Sequence, residues 1–168
     1  MARFTPDGAT KVTWVPGANA IEDPQAPSVV ELNGPNTVDL ECYLTKDGLS
    51  VTTEEETVED GVLCETFDAE LPGTTRLAGE LTLVRDDIAA QDIAWNAFST
   101  RKDGWIVIRD GIDTTLNPDW RVGDRAQVYK VRTGDKRPAP TASNENSRFM
   151  VTLYGRLKPR LDAVVTAS

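Results

Sequence analysis

The stretch "TRLAGELTLVRD" at residues 75–86 does most to limit the fold. Leu77, Leu81 and Leu83 fall on one side of an extended chain, and Glu80, Thr82 and Val84 on the other. A period of two residues marks a strand with one apolar face and one wetter face. Comparable runs of β-branched and aromatic residues recur at "TKVTWV" (10–15), "TVDLECYL" (37–44), "TVEDGVLCETF" (57–67, open to interruption), "GWIVIRD" (104–110), "RAQVYKVRTG" (125–134) and "SRFMVTLYGR" (147–156). Seven such strands separated by Gly, Asp and Pro predict a mainly β fold, a two-sheet β-sandwich or partial barrel. "GWIVIRD" alternates less cleanly than the others, as expected of a strand covered on both faces.

One segment departs from this pattern. "DDIAAQDIAWNAFST" has no Gly or Pro and places Ala90, Ile93, Ala94, Ala97 and Phe98 along a helical stripe. The spacing predicts a single helix over about 87–99, capped by Asp86 or Asp87 and packed on a sheet. Two Pro- and Asn-containing stretches, 16–28 and 134–147, cannot hold regular ladders and are expected as surface loops or arms.

A chain of 168 residues suits one domain, 1–168. The reading divides it into an N-terminal arm with the first strand (1–36), a β-sandwich core (37–156) and a C-terminal tail (157–168). No apolar run approaches the roughly 20 residues that span a bilayer, and "MARFTPDGATKV" lacks the apolar stretch of a signal peptide, so a soluble, unexported chain with no membrane partner is expected.

Several kinds of chemistry are disfavoured by residue type. Histidine is absent, which removes the commonest general base and every Ser-His-Asp arrangement. Cys42 and Cys64 form no CxxC pair and are expected as buried strand thiols. Neither phosphate-loop glycine order is present, and the acids around Asp47 and Gly48 miss the EF-hand spacing. Among 27 acids a pair of glycosidase carboxylates can always be proposed, so the pattern carries no weight. Trp14, Trp95, Trp105 and Trp120 stand among apolar neighbours and are expected as core anchors rather than base-stacking platforms. No catalytic residue, metal or cofactor is expected, and an enzyme is not.

Charge carries more information than these motifs. Between Lys46 and Arg76 there are nine acids and no base, and they account for the whole net charge of −9. Five of them, Glu54, Glu55, Glu56, Glu59 and Asp60, crowd the stretch "SVTTEEETVEDG" at 50–61. Residues 1–100 hold five bases against 19 acids, and residues 101–160 hold 13 bases against seven acids. Either the two regions meet within one chain, or one region meets the other on a neighbouring copy. A nucleic-acid binder in the usual sense would instead gather bases on one face.

Several stretches in order resemble the major tail tube proteins of long-tailed, siphovirus-type bacteriophages, especially those infecting actinobacteria. They are "VDLECYLTKDGLSVT", "CETFDAELPG", the strand ending "TLVRDD", the short helix with Trp95, "GWIVIRDG" and "DWRVGDRAQVYKVRTG", together spanning about residues 38–156. The resemblance implies a β-sandwich flanked by one helix, with long loops and terminal arms. It implies a non-enzymatic virion protein, made in the host cytoplasm, that forms hexameric rings stacked into a hollow tube through which DNA passes at ejection. Partners would be further copies of the chain, a tape-measure protein, and tail terminator and tail tip proteins.

Within such a tube, Glu54, Glu55, Glu56, Glu59 and Asp60 are expected in a protruding loop or hairpin that contacts another subunit. Arg121, Arg125, Lys130, Arg132, Lys136 and Arg137 are the expected basic counter-surface. Acids on regular strands, Glu65, Asp68 and Glu80, are the candidates for a bore that repels phosphates. The stretches 50–60 and 134–147 are expected to become ordered on assembly. Two other readings remain open at this point: a β-sandwich module for calcium or carbohydrate, and a different tail ring such as a terminator or connector.

Overall fold

The protein is described from a computed structural model, covering residues 8–64, 66, 69–98 and 100–168. Its elements are β1 (Thr10–Pro16), α1 (Val29–Leu32), β2 (Val38–Asp39), β3 (Leu44–Asp60), β4 (Ala69–Val84), α2 (Ile93–Ala97), β5 (Asp103–Asp110), β6 (Arg125–Thr133), β7 (Arg137–Pro138), β8 (Arg148–Gly155) and β9 (Arg160–Val164). The strands join one antiparallel sheet in the order β2-β1-β5-β6-β8-β4-β3, with β7 added to β8 and β9 to β6.

The mainly β fold expected from the alternating runs is present, and its two layers are two parts of one curling sheet. β6 is the branch point. Val131, Arg132 and Thr133 pair with β8, whereas Arg125, Ala126 and Val128 pair with β9. Curling brings Val12, Ile106 and Val131 into one core cluster with Leu81, Leu83, Phe149 and Val151. A second cluster, containing Val15, Ile21, Leu32, Trp105, Val107, Trp120, Val128 and Ala163, forms separately.

β5 belongs to both clusters: Ile106 and Ile108 enter the first, Trp105 and Val107 the second. Burial on both faces is what its imperfect alternation predicts. Trp14, Trp105 and Trp120 are buried and Trp95 is half-buried against the first cluster, so all four anchor packing. At Gly104 the backbone runs so close to Trp14 that an added Cβ would land on the indole.

A buried cation ties down the long connection between β5 and β6. Arg109 donates to the Asn117 carbonyl (2.6 Å), the Asp119 carbonyl (2.9 Å) and Asp124 Oδ2 (2.9 Å). The stretch 16–28 is similarly fastened. Ile21 is buried, and the Gln25 and Pro27 carbonyls accept from the amides of Val164 and Thr166. Residues 157–168, read from sequence as a tail, contain β9 and place Ala163 and Val165 in the second cluster.

Several elements differ from the sequence expectation. The run 37–44 is divided: β2 has two residues, and the amides of Tyr43 and Leu44 both bond the Leu40 carbonyl in a turn (2.9 Å each). Leu40 is fully buried, and the chain turns to seat it. Of the loop or hairpin expected for the acidic stretch 50–60, the hairpin forms: the stretch is the outer part of β3, and the strand expected over 57–67 stops before Gly61. Its ladder with β4 satisfies the backbone while the carboxylates stay in water, so the charge does not oppose strand formation.

The helix is shorter than predicted and begins later, at Ile93 rather than near residue 87, with Asp92 and not Asp86 or Asp87 preceding it. Asp86 instead accepts from the Ile88 amide in a local turn (3.0 Å). Ala94 and Phe98 are buried and Ala97 is half-buried, but Ala90 and Ile93, two of the five stripe residues, are exposed. A second short helix, α1, carries a capping box between Ser28 and Glu31 that sequence reading passed over. Cys42 and Cys64 are exposed rather than buried, because both fall in the turns flanking β3 rather than in strands.

Candidate functional site

The longest strands build the most exposed feature. β4 pairs with β8 only over Ala78–Val84, whereas its pairing with β3 continues outward to Ala69 opposite Asp60. The outer half of β3 and β4 is therefore a two-stranded ribbon. At ~3.3 Å per residue it reaches roughly 25–30 Å beyond the last β8 pair. Glu54 lies opposite Arg76, Val58 opposite Leu71, and Glu59 opposite Glu70, with a register shift between Glu55 and Thr57.

Little in its own chain holds this ribbon. A two-stranded hairpin alone in water is marginal, and the like charges of Glu59 and Glu70 oppose each other directly. Val58 and Leu71 are 53% and 50% exposed, and Val62 and Leu63 in the following turn are exposed too. Its ion pair, Glu56 to Arg76 at 3.4 Å, is open to solvent and contributes little. The ribbon thus combines half-exposed apolar side chains with acids that, Glu56 apart, form no ion pair among the described residues.

The structure brings Glu54, Glu55, Glu56, Glu59 and Asp60 together on this one element. Glu65 and Asp68 lie outside the described residues. Glu80 stands on the sheet near the ribbon's root, where its Oε2 accepts from Arg137 Nη2 at 3.1 Å; Arg137 also donates to Thr152 (3.1 Å). A candidate bore acid and a candidate counter-surface base therefore neutralise each other within one chain.

The six predicted bases do not form one patch. Arg121 and Arg125 stand near the start of β6, Lys130 and Arg132 further along it, and Lys136 and Arg137 beyond its end. Arg132 pairs with Asp103 at 3.5 Å. Lys130 lies 5.3 Å from the Trp105 ring centre. Lys136 donates to the Trp95 carbonyl (2.8 Å) and sits 4.0 Å over its indole; desolvation, reinforced by Arg85, holds its pKa below the ordinary lysine value.

Sequence reading passed over a different basic segment. "GRLKPR" at 155–160 has three bases in six residues and no acid, a signal that was available. Arg156, Leu157 and Lys158 are exposed and, with Glu56 and Arg76 at the ribbon's root, line a cleft of about 530 Å³. Among the described residues, one ion pair alone, Glu80 to Arg137, joins the acidic front of the chain to its basic back. Among the described residues, the two regions thus meet at this single ion pair. No grouping of three or more acids or thiols suited to a metal ion occurs among the described residues.

The family model described as "Phage tail tube protein" matches residues 1–168, so the chain belongs to the phage tail tube protein family, a structural family of the virion tail and not an enzyme family. No curated protein matches the chain. Among solved structures, a chain in "Cryo-EM structure of the anti-feeding prophage (AFP) baseplate, 6-fold symmetrised" superposes with a TM-score of 0.50 at 15% identity, covering 100% of this chain and 99% of that one. At that identity the likeness concerns the fold. No helix among the described residues is long and apolar enough to cross a membrane.

Proposed function

We propose that this tail protein assembles with itself into rings of six that stack into a hollow tube, through which DNA passes at ejection. The carrying observation is the ribbon of β3 and β4, an element exposed on both strands whose acids, Glu56 apart, form no ion pair among the described residues. A surface on one copy that fits a different surface on the next is a heterologous contact, and such contacts generate rings and filaments. Six is the chosen number because a chain of similar fold stands in a baseplate symmetrised six-fold. A tape-measure protein, a tail terminator and tail tip proteins are the expected partners at the tube's interior and ends.

The charge suits passage of a polyanion. With a net charge of −9 the chain offers DNA little to adhere to, and lysine-rich surfaces would retain it through counterion release. Glu80, neutralised by Arg137, adds little repulsion, so any repulsive field must come from unpaired acids.

Gold-labelled antibody on virions tests the role in the particle. Label along the whole tail, together with a copy number among the highest in the virion, is expected. Label confined to one end would instead identify a terminator or connector ring.

A further inference from the structure

We propose that the cleft lined by Arg76, Arg156 and Lys158 receives the acidic ribbon of a second copy of this chain. The inference rests on the self-assembly stated above and identifies which surface accepts the arm. It replaces the basic counter-surface expected from sequence with another one. Of that earlier set, Arg132, Lys136 and Arg137 are engaged by Asp103, Trp95 and Glu80 of their own chain.

Three observations converge on the cleft. First, Arg156 and Lys158 are exposed and, among the described residues, neither forms an ion pair with its own chain. Their charge is free for carboxylates from elsewhere. Second, both sides carry uncovered apolar groups: Leu157 in the cleft wall and Leu161 just beyond it, against Val58 and Leu71 on the ribbon. Burying such side chains favours association, while flanking charges set register and orientation.

Third, the chain's own ribbon cannot fill the site. Glu56 and Arg76 form part of the cleft wall, and Val58, Glu59 and Asp60 lie further out along the same strand. To return to the cleft they would have to break the ladder that pairs them with Leu71, Glu70 and Ala69. The occupant must therefore come from another molecule, and the outer ribbon carries carboxylates for Arg156 and Lys158 and apolar side chains for Leu157. DNA phosphate is a poorer occupant, because the exposed Leu157 and Leu161 offer a phosphate backbone nothing, whereas Val58 and Leu71 of a ribbon can cover them.

The test compares wild type, the double variant Arg156→Glu/Lys158→Glu and the double variant Glu59→Lys/Asp60→Lys, whose changes lie on the outer ribbon and not beside the cleft. All are purified, shown to be folded by circular dichroism and thermal melting, and followed for assembly by light scattering and electron microscopy. Each variant alone is expected to lose assembly by roughly tenfold or more, and a mixture of the two to recover it, because reversed cleft meets reversed ribbon. Zero-length carboxyl-to-amine crosslinking of mixed 14N- and 15N-labelled wild type should join Lys158 to a ribbon carboxylate in mixed-isotope peptides.

Normal assembly of the cleft variant, or Lys158 crosslinks only within one copy, would overturn the inference while leaving self-assembly intact. So would a folded cleft variant that fails to assemble and is not restored in the mixture. Binding of a labelled oligonucleotide to wild type that the cleft variant abolishes, with assembly unchanged, would assign the cleft to phosphate. Wild type that never assembles would remove the underlying reading and the inference with it.

Discussion

Val58 lies directly opposite Leu71 near the far end of the ribbon, and half of each side chain is in water. Nothing described in the chain covers this pair, so its value lies in what it meets outside. Replacing both with serine should change monomer stability by less than about 0.5 kcal/mol, as for other exposed positions. Assembly should weaken by roughly 10–100-fold in concentration, because burial of the pair is lost. Hydrogen exchange checks the same point: amides of 52–60 and 70–77 should exchange quickly in the monomer and slowly in the tube.

Reversing Glu54, Glu55 and Glu56 to lysine separates two uses of the acid. If the ribbon makes the subunit contact, tubes should fail to form. Tubes of normal appearance with impaired DNA delivery would assign these carboxylates to the bore instead.

Arg109→Met should destabilise the fold by about 3–5 kcal/mol, since it leaves Asp124 and the Asn117 and Asp119 carbonyls without their buried donor. Urea unfolding measures this. The segment 111–124 should also become sensitive to protease before the rest of the chain unfolds.

Gly104→Ala tests the contact with Trp14. A Cβ there falls on the indole and within 2.8 Å of the Val15 carbonyl, so β1 and β5 must separate. A loss of about 1–3 kcal/mol is expected, with altered near-ultraviolet dichroism from the tryptophans.

Tyr129 should shape the alkaline limb of stability. Burial, with Asp110 adding to it, raises the pKa above the ordinary 10.0, and the hydroxyl donates to Gln127 Oε1 at 2.9 Å. The unfolded chain therefore gives up this proton first, and folded stability falls as pH rises above about 10. In Tyr129→Phe that part of the fall should disappear, while melting near neutrality changes little.

How much of this was legible beforehand depended on what each residue answers to. Leu77, Leu81 and Leu83 obey a local period of two, so the strand and its buried face could be read directly. β5 disclosed its burial on both faces through its continuous apolar run. The acidic stretch left loop and hairpin open because charge density resembles loop composition; a ladder needs only backbone groups, exposed carboxylates do not disturb it, and the hairpin is what forms. The start of the helix could not be read from a list of acids. Asp86 closes a turn, while Asp92 is engaged by Arg85 at 2.9 Å, and tertiary context decides between them. The clustering of five acids on one element was visible in sequence, but the scattering of the six bases was not. That scattering follows from partners distant along the chain, such as Glu80 for Arg137.

Cryo-electron microscopy of the purified protein at assembly concentrations tests the central claim most directly. The expected result is a hollow tube of stacked rings in which the outer ends of β3 and β4 of each subunit lie against another copy. A protein that stays monomeric at every concentration with this ribbon free in solution, and that is absent from virion tails, would contradict it.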